Sequence, residues 1–348
     1  MKGKQPQTSA GQMLQAATRV EHDACEHGMA ISGWQLECLQ LSAGRFESHL
    51  FQTRFEHVQL IRERTNRALL KRGAGWAGSV VLSLPLAASG DGWTGGRPIA
   101  YPSGLLADGQ DLRELLTPVE LDLVCIALDR QWFALQANAL GHAALAARLR
   151  QREILVIPPS RLHALQALFR DLFREISRRP ALLTFENARR AIEGAIIEHI
   201  VEALAASVSV EPREDTPRKT TADQARALAL ADASETLDIG GICRRLSVSR
   251  RHLQNCFLSS YGQSATHVLR AIRLNRVRRE LRDHAQLGAR VSIGDIAARW
   301  GFWHWSRFAE DYRKHFGELP SATLRDGKGL PAWQSFPAVP KTDNAWGR

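Results

Sequence analysis

Cysteine and long hydrophobic runs are both scarce in this sequence of 348 residues, and each scarcity excludes a class of protein. The five cysteines are scattered and form no C-x-x-C pair, so they predict reduced thiols rather than a disulfide framework. No apolar run reaches the ~20 residues that a transmembrane helix needs. Residues 1–19 are polar and lack the apolar stretch of a secretory signal. We therefore expect a cytoplasmic protein.

Positive charge is concentrated in one part of the chain. The net charge is +10, and residues 231–325 hold 16 lysines and arginines against 9 aspartates and glutamates, a surplus of +7. The remaining residues therefore share only +3. A basic segment beside a nearly neutral one is typical of a polyanion-binding module joined to another domain, although a solvated charged surface would look similar.

The first part of the chain carries strand patterns. Between residues 33 and 135, short apolar or alternating runs are separated by Gly- and Pro-rich breaks. Val80–Leu84 is apolar and ends at Pro85, while residues 119–125 alternate apolar and acidic side chains. We expect a small β-barrel or sandwich here. Candidate pocket walls are Trp34, Phe51, Phe55 and Trp76, although aromatic residues on strands more often belong to a core.

Two helices follow the strands. Apolar residues recur at helical spacing from Leu162 to Ile176, and Pro180 ends that segment. A second helical face runs from Ala188 to Ala203. The pair either closes the barrel or forms a dimer seam, and the core role is favoured. We therefore expect an α+β domain over residues 1–206.

Two polar segments predict the remaining boundaries. Residues 207–221 have two prolines and mixed charge, which is typical of a linker. Residues 326–348 are rich in Gly and Pro and aperiodic, so we expect a disordered tail. The segment between them, residues 222–325, is then an all-α domain.

One pattern occurs twice in this last domain, at about 239–260 and 293–316. In each copy two apolar residues four apart, Ile242 and Leu246 or Ile296 and Trp300, form one face of a short helix. A small residue follows the first of them and permits a close helix crossing. A second helix with apolar residues four apart comes next. The pattern predicts two helix-turn-helix units, with one extra residue in the second turn.

The first unit exposes side chains that read bases. Ser249 is placed as the N-cap of the second helix. Its predicted exposed residues are Arg250, Arg251, Gln254 and Asn255. Arginine pairs bidentately with guanine and Gln or Asn with adenine in the major groove. This set favours sequence-specific recognition of double-stranded DNA over non-specific binding.

A linker helix is expected between the two units, over residues 265–281. About 17 residues at 1.5 Å each give roughly 25 Å, enough to hold two recognition helices about one DNA turn (~34 Å) apart. Its arginines, among them Arg273 and Arg276, are placed to neutralise phosphates.

The segment from Thr221 to Arg325 resembles the AraC/XylS family of bacterial transcription factors. The motif I-x-x-I-A-x₅-S-x-x-x-L-x-x-x-F is present, with Cys243 in place of the small Ala. The second unit ends with the family's pattern, which is carried by Gly301-Phe302, Phe308, Tyr312, Phe316-Gly317, Pro320-Ser321 and Arg325. Trp300–His304 and Ile272–Leu281 are more similar to the ethanolamine-operon regulator branch.

The resemblance implies further DNA contacts. Base readers in the second unit would be Trp305, Ser306 and Arg307, with Glu310 able to accept from a cytosine amino group. Phosphate contacts would come from Ser249, His304 and Arg313. Trp303-His304 replace the small capping residue that relatives often carry, and Glu310-Asp311 place acid where relatives often carry Arg. We expect the second unit to contribute less affinity and more discrimination.

The resemblance also implies a function for the whole chain. It predicts an effector-responsive activator, not an enzyme, that contacts RNA polymerase and forms a homodimer through its N-terminal domain. The effector would be an amine such as ethanolamine, or a cobalamin; no other cofactor and no metal are expected.

The sequence also suggests other interpretations. A DNA-repair enzyme with this DNA-binding module would need a reactive cysteine among Cys25, Cys38 and Cys125. A non-specific architectural DNA binder would lack base readers. Gly73–Gly78 matches G-x-G-x-x-G but precedes a strand rather than a helix. A zinc site would need four scattered residues, namely Cys243, His252, Cys256 and His267, of which two are better explained as core thiols.

Overall fold

The computed structural model describes residues 16–100, 102–149, 153–210, 215–231, 237–288 and 290–326. An N-terminal α+β domain is followed by an all-α domain, as the sequence predicts. None of the helices in these ranges combines the length and hydrophobicity that crossing a bilayer requires.

The strands all belong to the N-terminal domain. They are β1 (Ala17–Glu21), β2 (Gln35–Gln40), β3 (Ser48–Arg54), β4 (Val58–Thr65), β5 (Leu69–Ala74), β6 (Ser79–Ser89), β7 (Gly92–Thr94), β8 (Arg97–Ile99), β9 (Gly104–Asp108), β10 (Leu112–Leu116), β11 (Glu120–Asp129), β12 (Glu153–Val156) and β13 (Val208–Val210). Residues 75–78 connect β5 to β6, so the G-x-G-x-x-G sequence joins two strands and does not open a helix.

The helices of the N-terminal domain are α1 (Ala24–Met29), α2 (Arg130–Ala139), α3 (Leu145–Arg148), α4 (Pro159–Arg178) and α5 (Glu186–Ala206). Those of the C-terminal domain are α6 (Pro217–Ala231), α7 (Ile239–Leu246), α8 (Arg250–Tyr261), α9 (Ala265–Gln286), α10 (Ile293–Arg299), α11 (Trp305–Phe316) and α12 (Pro320–Asp326).

The strands form two antiparallel sheets that pack face to face. An eight-stranded sheet has the order β1-β3-β4-β11-β6-β9-β12-β13, and a five-stranded sheet has the order β2-β5-β10-β7-β8. Alternate residues of β11 face opposite sides, as strand geometry requires. Leu123 and Cys125 belong to the core between the sheets, while Val124 and Ile126 belong to the core on the other side. The sandwich alternative of the prediction is therefore the observed one.

The helices α4 and α5 cover the outer face of the eight-stranded sheet. Phe169 and Ile176 of α4 and Ile196 and Ile200 of α5 are fully buried there. The apolar spacing that predicted these helices thus marks a core face. Their role in the core is confirmed within this chain.

A buried ion pair joins the two sheets through the sandwich. Glu63 of β4 bonds Lys71 of β5, and its other oxygen lies 2.7 Å from Nε2 of His27 in α1. Burial acts to raise the pKa of Glu63, but Lys71 and His27 outweigh it and hold the pKa at about 2. Removing one partner of such a pair leaves a buried charge and is strongly destabilising.

The two helix-turn-helix units have matching turns. Ser247 and Gly301 both adopt the left-handed conformation, with φ of 55° and 83°. The N–H of Val248 donates to the carbonyl of Cys243 at 3.0 Å. In the second unit, Phe302 N–H donates to Ala297 at 2.9 Å. Two residues separate Ser247 from α8 and three separate Gly301 from α11, so the predicted extra residue is confirmed.

The predicted linker is narrower than residues 207–221. Val208–Val210 form strand β13 on β12, and α6 already begins at Pro217. Main-chain pairing with β12 orders this first part, which composition does not reveal. The predicted tail after Asp326 lies outside the described residues.

Ser247 is the one non-glycine residue with positive φ in the described ranges. The left-handed conformation costs most L-residues about 1–2 kcal/mol, so Ser247→Gly should raise the free energy of unfolding by roughly 0.5–1 kcal/mol. Gly301→Ala should lower it by about 1 kcal/mol. Urea unfolding measures both.

Ser259→Gly, inside α8, is the control for adding glycine and should lower stability by about 0.5 kcal/mol. A loss of stability in Ser247→Gly of the same size as in this control would contradict the assigned turn.

Candidate nucleic-acid interface

The first recognition helix is α8, and its predicted base readers are mostly free of the core. Leu253 and Phe257 are fully buried and fix the helix in its unit. Arg250, Arg251 and Asn255 point away from that core and are exposed. The helix therefore presents two guanidinium groups and an amide on one accessible side.

Gln254 and Ser249 have structural roles beside their predicted ones. The Gln254 side-chain oxygen accepts from the N–H of Ala265 at 3.3 Å, at the start of α9, and the residue is half-buried. The Ser249 hydroxyl accepts from the N–H of His252 at 3.1 Å, so the predicted N-cap is confirmed. Gln254 is therefore a less clean probe of base reading than Arg251 or Asn255.

The second recognition helix is α11. Phe308 and Tyr312 are buried in the unit's core, whereas Ser306, Arg307 and Glu310 are exposed. Trp305 is 55% exposed. Its indole lies against α10, where a Cβ on Gly294 would overlap the ring. Gly294 therefore positions a predicted base reader, a relation that the sequence pattern does not reveal.

A basic groove of about 270 Å³ separates the two units. Arg270 and Arg273 of α9 line one side, and His304 and Arg307 line the other. Asp311 forms an ion pair with Arg270, so the charge of one of the two acids that stand where relatives often carry Arg is neutralised. Burial lowers the pKa of Arg270, and the nearby charge of Arg307 acts in the same direction. The groove thus holds more positive than negative charge.

The predicted phosphate contacts fall into two groups. Ser249, His304 and Arg313 are exposed. Arg273 is half-buried and donates to the carbonyl of Leu237 at 2.7 Å. Arg276 lies 3.3 Å from Glu37 of the N-terminal domain. Phosphate binding by these residues stays a prediction. In this arrangement of the two domains, Arg276 is paired with Glu37.

Ion pairs join α9 to the N-terminal domain. Asp23, the N-cap of α1, accepts from Arg278 at 2.5 Å and lies 2.7 Å from Arg282. Glu26 forms a further ion pair with Arg282. Burial acts to raise the pKa of Asp23, but the two arginines outweigh it and hold the pKa at about 2. The carboxylate therefore stays charged at any physiological pH.

Gln40, at the end of β2, connects the same helix to the second unit. Its main chain exchanges two hydrogen bonds with the amide of Asn275, at 3.0 and 2.8 Å. Its side chain donates to the carbonyl of His315 at 2.8 Å, and its carbonyl accepts from Nε2 of His315 at 3.0 Å. One residue of the sheet thus contacts both α9 and α11.

The first unit rests on the five-stranded sheet. Leu70 and Leu116 share one hydrophobic cluster with Phe257 and Leu269. At the edge of this contact Trp93 lies so close to Gly262 that a Cβ there would collide with it. Glu114 of β10 also forms ion pairs with α6, with Lys219 at 3.0 Å and with Arg226.

These contacts between the domains do not follow from the sequence patterns. Asp23, Gln40 and Glu114 occur in the strand-rich half with no periodic partner in the other half. A buried Asn such as Asn275, inside an otherwise apolar and basic helix, is the one signal that a polar partner lies beside it.

Comparison with known proteins assigns the C-terminal domain. Residues 242–326 match the family described as a helix-turn-helix domain. A XylDLEGF operon transcriptional activator of Pseudomonas putida is 44% identical over 82 residues, 23% of this chain and 25% of that protein. Residues 242–326 therefore form a helix-turn-helix domain, and part of this chain is similar to operon regulators.

The curated relatives match about a quarter of this chain. A probable thc operon regulatory protein of Rhodococcus erythropolis is 38% identical over 97 residues, 27% of this chain and 28% of that protein. The matched segment spans about a quarter of the length of these relatives.

Solved structures resemble more of the chain at lower identity. The AraC-like transcriptional activator CuxR covers 81% of this chain and 100% of its own, with 16% identity and a TM-score of 0.38. ToxT from Vibrio cholerae O395 covers 86% of this chain and 100% of its own, with 13% identity and a TM-score of 0.30.

The free energy of unfolding should fall in mild acid because His315, which bonds Gln40, is buried in its neutral form. Burial lowers the pKa of His315 to about 4, the neighbouring His267 and Arg278 act in the same direction, and the bond to Gln40 opposes them. The unfolded chain, with a histidine pKa of about 6.5, binds a proton first, so stability is full above pH 6.5 and falls towards pH 4. We expect a loss of about 2 kcal/mol between pH 7 and pH 5.

Chemical unfolding of the wild type and His315→Gln over this pH range tests the assignment. The glutamine variant should be less stable at pH 7 but should lose about 2 kcal/mol less on acidification. Equal pH slopes in the two proteins would show that His315 is not the group involved.

Proposed function

We propose that this protein is a sequence-specific DNA-binding regulator of transcription that acts in the bacterial cytoplasm. The observation that carries the proposal is the repeated helix-turn-helix geometry, with equivalent left-handed turns at Ser247 and Gly301 and exposed polar faces on α8 and α11. Both helices pack on α9, as recognition helices that enter one duplex require.

The exposed side chains support direct base reading. Arg251 and Asn255 are the cleanest candidates in the first unit, because neither is used to hold the fold as Gln254 is. Trp305, Ser306, Arg307 and Glu310 are the candidates in the second. The basic groove between the units suits the phosphates between two half-sites.

The function of the N-terminal domain is inferred from the resemblance and from its contacts. The relatives that match part of this chain include operon activators. From these and from the resemblance to the AraC/XylS family, we infer activation through RNA polymerase, with a small-molecule effector and a homodimer. The docking of the sheets on α9 gives a physical route by which an effector changes DNA binding. The ethanolamine-operon branch, with an amine or cobalamin effector, stays a prediction from sequence resemblance.

The raised pKa values of the three N-terminal cysteines argue against the DNA-repair enzyme. Burial raises the pKa of Cys38 and of Cys125 to about 12, and burial also raises the pKa of Cys25. A thiol must ionise to act as a nucleophile, and these three stay protonated near neutral pH. The described residues contain no group of three or more metal-ligating side chains, so the four residues considered for zinc do not come together.

Selection of bound fragments from sheared genomic DNA tests the function. The wild type should enrich one motif near a promoter. Arg251→Ala/Asn255→Ala should bind that motif roughly 10- to 100-fold more weakly and keep salt-sensitive binding to bulk DNA. Arg190→Ala, which removes an exposed arginine of α5 paired with Glu186, is the control and should match the wild type.

Two results would contradict the proposal. Enrichment of no motif by the wild type would favour the architectural DNA binder. A motif retained at full affinity by the double variant would place base reading outside α8.

A further inference from the structure

A groove of about 420 Å³ opens on the outer face of the eight-stranded sheet, beside the last turns of α4. This volume lies within the range of small-molecule sites, roughly 300–1,000 Å³. It shares no lining residue with the groove between the two helix-turn-helix units. The side chains that matter are Phe51, Arg62, Arg64, Arg170, Phe173 and Arg174.

The floor of the groove is aromatic. The rings of Phe51 and Phe173 meet edge to face with centroids 5.1 Å apart. Phe173 is buried at the base of α4, and Phe51 of β3 is half-buried, so part of its surface faces the groove. The guanidinium of Arg62 lies 5.6 Å from the centre of the Phe173 ring. Such a floor suits a flat apolar group.

The wall on the sheet carries two arginines that share one acid. Arg62 forms a bidentate pair with Asp122, at 2.9 and 2.7 Å. The same carboxylate lies 3.7 Å from Nε of Arg64, which is 65% exposed. One negative charge therefore faces two positive charges on this side.

The wall on α4 adds two more arginines. Arg170 donates to the carbonyl of Leu86 at 2.9 Å. This carbonyl is neutral, so the bond does not cancel the positive charge of Arg170. Arg174 pairs at 3.0 Å with Asp171, but both side chains are more than half exposed, and such pairs contribute little. None of the described residues that line the groove is acidic.

We propose that this groove is a binding site for a small anion with a flat apolar body, such as an aromatic carboxylate. The body rests on the half-buried Phe51, whose ring packs against the buried Phe173. The anionic head is held by Arg64 and Arg174, since guanidinium groups bind carboxylates and phosphates through paired hydrogen bonds.

The positive charge of the groove predicts the charge of its ligand. Four arginines repel an amine, so a ligand here is of the opposite charge to ethanolamine. An anion held by Arg64 of β4 and Arg174 of α4 bridges the sheet and the helix pair. As an effector site, the groove rests on the proposed regulatory function. Ligand binding is measured without DNA. A negative result there contradicts the ligand site without contradicting the proposed regulatory function.

Isothermal titration calorimetry of the full chain tests the site with 2-naphthoate and 2-naphthyl phosphate as anionic probes. The neutral 2-naphthamide has the same ring system and is the ligand control. We expect at least one anion to bind with a single site per chain and at least tenfold more tightly than the amide. Arg64→Ala/Arg174→Ala should weaken that binding at least tenfold, whereas Arg190→Ala should leave it unchanged.

Three results would overturn the proposal. They are equal binding of the amide and the anions, no binding of either anion at millimolar concentration, and unchanged affinity in the double variant. The thermal unfolding midpoints of the variants, measured without ligand, identify any loss that comes from misfolding. In that case Arg64→Lys/Arg174→Lys, which keeps the charge and loses the paired geometry, replaces the alanine variant and should still weaken binding.

Discussion

The rest of the structure depends on the burial of helix α9 on three sides. Its first half packs into the core of one helix-turn-helix unit through Val268 and Ile272, and its second half into the other through Val277 and Leu281. The third side carries polar groups, among them Asn275, that bond the N-terminal domain. A helix held in this way fixes the spacing of the two recognition helices and couples it to the sheets.

This arrangement gives the basic residues of α9 two different roles. Arg270 and Arg273 line the groove between the units, where a polyanion would lie. Arg278 and Arg282 bond Asp23 instead, at the seam between the domains. The positive surplus of the C-terminal segment is therefore divided between the groove and the N-terminal domain. The N-terminal domain thus bonds directly to the helix that spaces the two recognition helices.

The sequence was sufficient for features that repeat or alternate. The helix-turn-helix units, the extra residue before α11 and the core face of α4 follow from spacing alone. Contacts between residues far apart in the chain did not follow. Gln40 and Asn275 are 235 positions apart, and neither belongs to a periodic pattern. The ordering of Val208–Val210 depends on main-chain pairing with β12, which composition does not record.

The central claim is that α9 presents both recognition helices to one face of a duplex. Guanine methylation interference on a selected binding site tests this most directly. We expect two clusters of interfering guanines in successive major grooves, about one helical turn (~10 bp) apart. A single cluster, or interference spread evenly along the site, would contradict it.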